Sequence, residues 1–268
     1  MLYQFKCAPD AGNPDSNLAI DANGVLYGTT AAGGTSTECG QGCGTAFALA
    51  PPVPPGNAWT ETVLWSFGAK GDPAYPSGGV ALGNGGVIYG SAQYGDLAGM
   101  VFSLTPPAAP GSPWTEAVLD NFPRTGTQYP TTAALYAGGV LYGATALHER
   151  NEQGGTVFAL TPPASPGGPW TQETLWTFPP RGIHQTSNQP NGPLIADKKN
   201  GALFGATGNG ISSTGTIFEL LPPKQVGGAW TLRILNRSNT ADPSLGLFSG
   251  GVLYGTDALN NAIWSLVP

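Results

Sequence analysis

The chain has 268 residues, a formal net charge of −6 and 10% charged side chains. Its ten Lys and Arg are scattered and form no basic stripe, which argues against a nucleic-acid surface, and no apolar run of about eighteen residues is present to span a membrane. The 41 Gly and 26 Pro recur at regular intervals, and 7 Trp, 9 Tyr and 10 Phe supply core material, so this is a turn-rich folded chain rather than a low-complexity one.

In chain order, Met1-Leu2-Tyr3-Gln4-Phe5 lacks the charged head and apolar run of a signal peptide. It aligns instead with Val63-Leu64-Trp65-Ser66-Phe67, the interior of a later strand, so a natural precursor is expected to extend upstream. A first unit then opens at Asn13-Pro14 and turns at Asp21-Ala22-Asn23-Gly24, where Asn-Gly suits a tight hairpin. It continues through Leu26-Tyr27-Gly28-Thr29-Thr30, the Cys39–Cys43 loop, Gly44-Thr45-Ala46-Phe47-Ala48-Leu49 and Pro51-Pro52 to a strand starting at Trp59-Thr60.

The second unit repeats this order with Tyr75-Pro76, Ile88-Tyr89-Gly90, Gly99-Met100-Val101-Phe102-Ser103-Leu104, Pro106-Pro107 and Trp114-Thr115. The third has Tyr129-Pro130, Leu141-Tyr142-Gly143, Gly155-Thr156-Val157-Phe158-Ala159-Leu160, Pro162-Pro163 and Trp170-Thr171. The fourth has Gln189-Pro190, the Lys199-Asn200-Gly201 turn, Leu203-Phe204-Gly205, Gly215-Thr216-Ile217-Phe218-Glu219-Leu220, Pro222-Pro223 and Trp230-Thr231. The fifth keeps Asp242-Pro243 and Leu253-Tyr254-Gly255, degenerates to Ala262-Ile263-Trp264-Ser265-Leu266, and lacks the Trp-Thr strand. Each leading proline needs no ladder donor and is expected to hold the residue before it in extended geometry.

Each unit thus holds four short strands in roughly 50–60 residues, and useful helical periodicity is absent. A sheet of four antiparallel strands cannot bury both faces alone, whereas radially stacked sheets can. The expected fold is therefore all-β, a single five-bladed β-propeller with four antiparallel strands per blade. One domain is expected over 1–268, with repeat units at about 6–67, 68–122, 123–178, 179–238 and 239–268 plus 1–5. The N-terminal strand should close the last blade and hide two sheet edges. Repetition of Trp59, Trp114, Trp170 and Trp230, and of Tyr27, Tyr89, Tyr142, Phe204 and Tyr254, reads as packing between blades rather than a binding array.

The Leu-Tyr-Gly-Thr-Thr, Gly-Gly and Gly-Thr-Val-Phe-x-Leu pattern resembles the GloVer-type tandem-repeat family of secreted bacterial proteins. The resemblance runs through all five units and implies a secreted or cell-envelope protein, with no defined catalytic residues. Members often carry a C-terminal anchoring segment; none is expected for this chain, and its Pro-rich linkers before each Trp are longer than the family's spacing.

In a four-stranded blade the turn between the first two strands and the loop between the last two share one face. Here that face is Asn-Gly turns and Pro/Gly/Ala loops nearly devoid of chemistry. The other face collects loops of unequal length and the unusual polar residues, which fits a framework carrying a variable surface. The residues before the leading prolines, Asn13, Tyr75, Tyr129, Gln189 and Asp242, should approach the mouth of the central channel on that face. Two tyrosines, two amides and a carboxylate resemble a sugar-binding set, in which aromatic faces stack on pyranose rings and amides fork onto hydroxyls. The same tyrosines could instead plug the funnel structurally.

His148, Glu149, Glu152 and His184 form the one group with acid–base potential, suited to a polysaccharide hydrolase or lyase. Charged residues this dense in a Gly-flanked loop also read as solvated surface. Five-bladed glycosidases place three carboxylates around the axis, and the inner strands here offer only Asp21 and Asp197. No nucleophile elbow, zinc motif or cofactor fingerprint is present. Cys39 and Cys43 could close a small loop disulfide, Cys7 could pair with either, or the thiols could stay free. Asn236-Arg237-Ser238 fits a glycosylation sequon that matters only in a eukaryotic secretory pathway. The expected function is a non-catalytic propeller binding a carbohydrate or small polar ligand on the long-loop face. The alternatives are a polysaccharide-cleaving enzyme using His148, Glu149 or His184, and a structural or adhesive module.

Overall fold

Short apolar stretches bounded by Gly and Pro fold into the expected strands. The computed structural model describes residues 1–14, 16–68, 74–94, 99–109, 111–122, 128–131, 135–147, 154–165, 167–179, 189–208, 215–225, 227–237, 243–257 and 262–268. The chain forms two compact units, Met1–Arg124 and Thr125–Pro268. Among the described residues there is no α-helix, only a 3-10 turn at Asn84–Gly86. The fold is all-β, a five-bladed propeller arrangement of antiparallel sheets.

In the first unit, one blade has the order β2 (Ala19–Ile20), β3 (Leu26–Thr30), β5 (Thr45–Ala50), β6 (Thr60–Ser66), and a two-stranded ladder of β1 (Ala11–Gly12) with β4 (Ala32–Gly33) adjoins it. The next blade runs β7 (Ala74–Leu82), β8 (Ile88–Tyr94), β9 (Gly99–Thr105), β10 (Thr115–Phe122). In the second unit, β11 (Gln128–Pro130) and β12 (Leu135–Ala137) both pair with β13 (Val140–Leu147), followed by β14 (Thr156–Thr161) and β15 (Thr171–Thr177). The fourth blade is β16 (Gln189–Ala196), β17 (Leu203–Gly208), β18 (Thr216–Leu221), β19 (Thr231–Arg237), and the fifth is β20 (Pro243–Ser249), β21 (Val252–Asp257), β22 (Ala262–Leu266).

The register explains the repeat signatures. The glycine of Leu-aromatic-Gly lies directly opposite the aromatic ring of the following signature: Gly28 faces Phe47, Gly90 faces Phe102, Gly143 faces Phe158, Gly205 faces Phe218 and Gly255 faces Trp264. A β-carbon on any of these glycines would collide with that ring. The ring occupies the space a β-carbon would take, which is the close approach that only glycine allows. A second pairing sets one blade against the next, because a β-carbon on Gly44, Gly155 or Gly215 would strike the leading proline of the following blade, Pro76, Pro190 or Pro243.

Aromatic packing follows the same path. Phe67, fully buried at the end of β6, lies 4.9 Å from Phe102 in the next blade, and Phe178 lies 5.3 Å from Phe218. Trp230 of the fourth blade meets Tyr142 of the third edge-on at 6.4 Å, and Trp114 joins the cluster that holds Tyr27. Trp230 with Tyr142 and Trp114 with Tyr27 are therefore seams between blades, whereas Tyr254 of the same repeat is 40% exposed.

The N-terminal segment departs from expectation. Met1–Phe5 forms no strand, and the fifth sheet has three strands among the described residues. A segment this short offers few ladder bonds, whereas its ring has a ready apolar seat. Phe5 packs at 4.9 Å on Phe47, the same relation that Phe67 has to Phe102. The alignment with Val63–Phe67 thus locates the ring of Phe5 correctly, while the expected ladder is absent there.

Candidate functional site

Four of the five pre-proline positions can be placed, and they fall into two classes. Tyr129 and Gln189 are half-buried and extended: Tyr129 pairs with Ala146 and Gln189 with Gly208. Asn13 and Tyr75 are exposed and adopt the left-handed region, with φ of 56° and 54°. This corrects the expectation of extended geometry before proline. The left-handed region costs a non-glycine residue on the order of 1–2 kcal/mol, so the surroundings must hold it in place. Asp242 lies outside the described residues.

For Tyr75 the surroundings are visible. Its N–H donates to the carbonyl of Cys43 at 2.8 Å, and it drops out of the ladder between Ala74↔Tyr94 and Pro76↔Ala92. Cys43 is itself buried and joined to Cys39 by a disulfide, which leaves Cys7 exposed and free. The Gly33 N–H donates to Gln41 O at 2.8 Å and the Gly44 N–H to Gly33 O at 3.2 Å, so the disulfide loop is tied to the sheet on both sides. Pro76 seats on Gly44 directly after the tyrosine. Tyr75 therefore sits on a backbone fixed before and after it, with 39% of the residue exposed.

The family model of the Gloeobacter/Verrucomicrobia repeat matches residues 40–263. The chain belongs to that repeat family. No curated protein matches it. Among solved structures, this member of the Gloeobacter/Verrucomicrobia repeat family is similar to a putative oxidoreductase (glucose dehydrogenase) of Thermus thermophilus, with 17% identity, a TM-score of 0.56, and coverage of 96% of this chain and 80% of that one. It is also similar to the α-L-arabinanase of Cellvibrio cellulosa complexed with arabinohexaose, at 13% identity and TM-score 0.46 over 95% of this chain and 91% of that one. The GH43 endo-arabinanase of Bacillus licheniformis gives 13% identity and TM-score 0.47 over 98% and 96%. The first likeness shows a shared fold, and at these identities none assigns a ligand or reaction to the repeat protein.

The acid–base candidates His148, Glu149, Glu152 and His184 lie outside the described residues. Among the described residues no group of three or more His, Cys, Asp or Glu could hold a metal ion. Two acidic features of this repeat protein escaped sequence reasoning. Asp257, 8% exposed, stands opposite Ala262 where the first, third and fourth blades pair two buried threonines, as in Thr30 with Thr45 at 2.9 Å and Thr145 with Thr156 at 2.8 Å. That break in the repeat was a readable signal. The other is Glu61 with Asp10, from segments far apart in sequence, for which no signal existed.

One oxygen of Glu61 is buried without a hydrogen-bond partner, and burial first, then the Asp10 carboxylate, pushes its pKa above the ordinary 4.5. A raised carboxylate pKa means the ionised form is penalised in the folded state only, so stability from this group is full below the ordinary value and is lost as pH rises through the folded value. Glu61→Gln should therefore be more stable than the parent in urea melts at pH 7. The two should converge below about pH 4, where Glu61 is protonated in both states.

Proposed function

We propose that this repeat protein is a non-catalytic propeller of the cell envelope or exterior that binds a carbohydrate through the pre-proline positions Asn13 and Tyr75, with Tyr75 as the anchor. The observation that supports this most is an exposed aromatic side chain on a strained, left-handed backbone, because such strain persists where a side chain must be held at a required angle. A fixed phenol ring gives a flat apolar surface for the C–H face of a pyranose at low entropic cost. Asn13, with the same backbone and an exposed amide, supplies a donor and an acceptor for hydroxyls. The sparse charge favours a neutral polyol over an ionic ligand, and the Cys39–Cys43 disulfide suits an oxidising compartment.

The test is a glycan array followed by calorimetry on the strongest hit, with three variants. Tyr75→Ala should weaken binding at least tenfold, and Tyr75→Phe should keep most of it. Tyr75→Gly should abolish binding without lowering the melting temperature, since glycine relieves the left-handed strain. An array without hits, or a Tyr75→Ala protein that binds like the parent, removes the proposal.

A further inference from the structure

The second unit contains a cavity of about 760 Å³ at the hairpin end of its inner strands, walled by Leu135, Leu194, Ile195 and Phe248. That size lies within the range of small-molecule sites. It opens on the face that sequence reasoning left nearly without chemistry. Tyr129 pairs with Ala146 at one end of β13, whereas β12 beside the cavity pairs with Val140 to Tyr142 toward the other, four to six residues or about 13–20 Å away. The cavity is therefore distinct from the position of Tyr129.

Its chemistry is two-part. The interior is aliphatic and aromatic, and Leu247 in its lining is a large apolar residue 55% exposed along a strand. The lining residues with polar side chains are Tyr136, Tyr142 and the adjacent Asp197 and Lys198. The Asp197 turn is rigid: Asp197 N–H donates to Ala202 O at 2.8 Å, Gly201 N–H to Asp197 O at 2.8 Å, and Lys199 N–H to Asp197 Oδ1 at 2.9 Å. Lys198 is exposed. A carboxylate accepts, an ammonium donates and a phenol does either, so the group that satisfies all of them is a hydroxyl. An anionic or cationic head would gain from one member of the Asp197/Lys198 pair and lose to the other.

We infer that this cavity is a separate binding site for a neutral amphiphile, a hydroxylated head at the Asp197 turn and an apolar body against Leu135, Leu194 and Leu247, as in a glycoside with an apolar aglycone. The site shares no residue with the strained tyrosine turn.

Calorimetry on the full chain with octyl glucoside, glucose and octanoate, each below micellar concentration, tests this. Octyl glucoside should bind saturably with one-to-one stoichiometry. Glucose, without the tail, and octanoate, with a charged head, should each bind at least tenfold more weakly. Leu247→Asp should weaken octyl glucoside at least tenfold with an unchanged melting temperature, and the exposed Lys198→Ala should weaken it several-fold. Tyr75→Gly should leave it unchanged. Three results would overturn the site: glucose binding as tightly as octyl glucoside, parent-like binding by both cavity variants, or loss of binding in Tyr75→Gly.

Discussion

Phe102→Ala is expected to destabilise the protein by about 3–5 kcal/mol, because a large ring would leave a cavity in a filled core. Phe102 has no exposed surface and lies 4.9 Å from the equally buried Phe67. For a chain of this size such a loss lowers the melting temperature by roughly 6–20 °C. The informative partner is Gly90. A β-carbon there meets Phe102 Cζ at 2.5 Å, so Gly90→Ala should cost about 1–3 kcal/mol by overpacking. If the glycine is present to admit the ring, combining Gly90→Ala with Phe102→Leu should cost less than the two single changes together, by at least about 0.5 kcal/mol in a urea-melt cycle. Strict additivity would mean that the two halves of the repeat signature are independent.

The second large effect concerns the fourth blade. Glu219 is 4% exposed on β18, at the place taken by Ala48, Ser103 and Ala159 in other blades, and Arg233 of the neighbouring strand brings Nη2 to 2.6 Å from its Oε2. Removing the arginine leaves a carboxylate with little access to water. Arg233→Ala should therefore cost about 3 kcal/mol, the low end for a broken buried pair because the Arg233 side chain is 53% exposed. Replacing both residues by leucine should restore stability to within about 1 kcal/mol, because the charge that needs a partner is gone. An Arg233→Ala protein that melts with the parent would show that water reaches Glu219 unaided.

These two sites mark what a single chain makes legible. The glycine–phenylalanine signature is readable because every blade meets the same steric demand, and repetition turns that demand into a pattern. Glu219 and Asp257 are readable only as breaks in the pattern, without their partners. Asn13 and Tyr75 were identifiable by position, but the sequence rule for residues before proline pointed to extended backbone. The left-handed turn arises because the Cys43 carbonyl captures the Tyr75 N–H, a contact between neighbouring blades.

Amino-acid order by itself determined the five-fold repeat, the strand sequence within each blade and the aromatic seams, because these rest on local period and on identical contacts made again and again. Only the tertiary structure decided the disulfide partner of Cys43, the left-handed pose of Tyr75, the Glu61–Asp10 pair and the cavity beside Asp197. Each of these depends on which unrelated segments the folded sheets bring together, and distance in space between such segments leaves no trace in the spacing of residues along the chain.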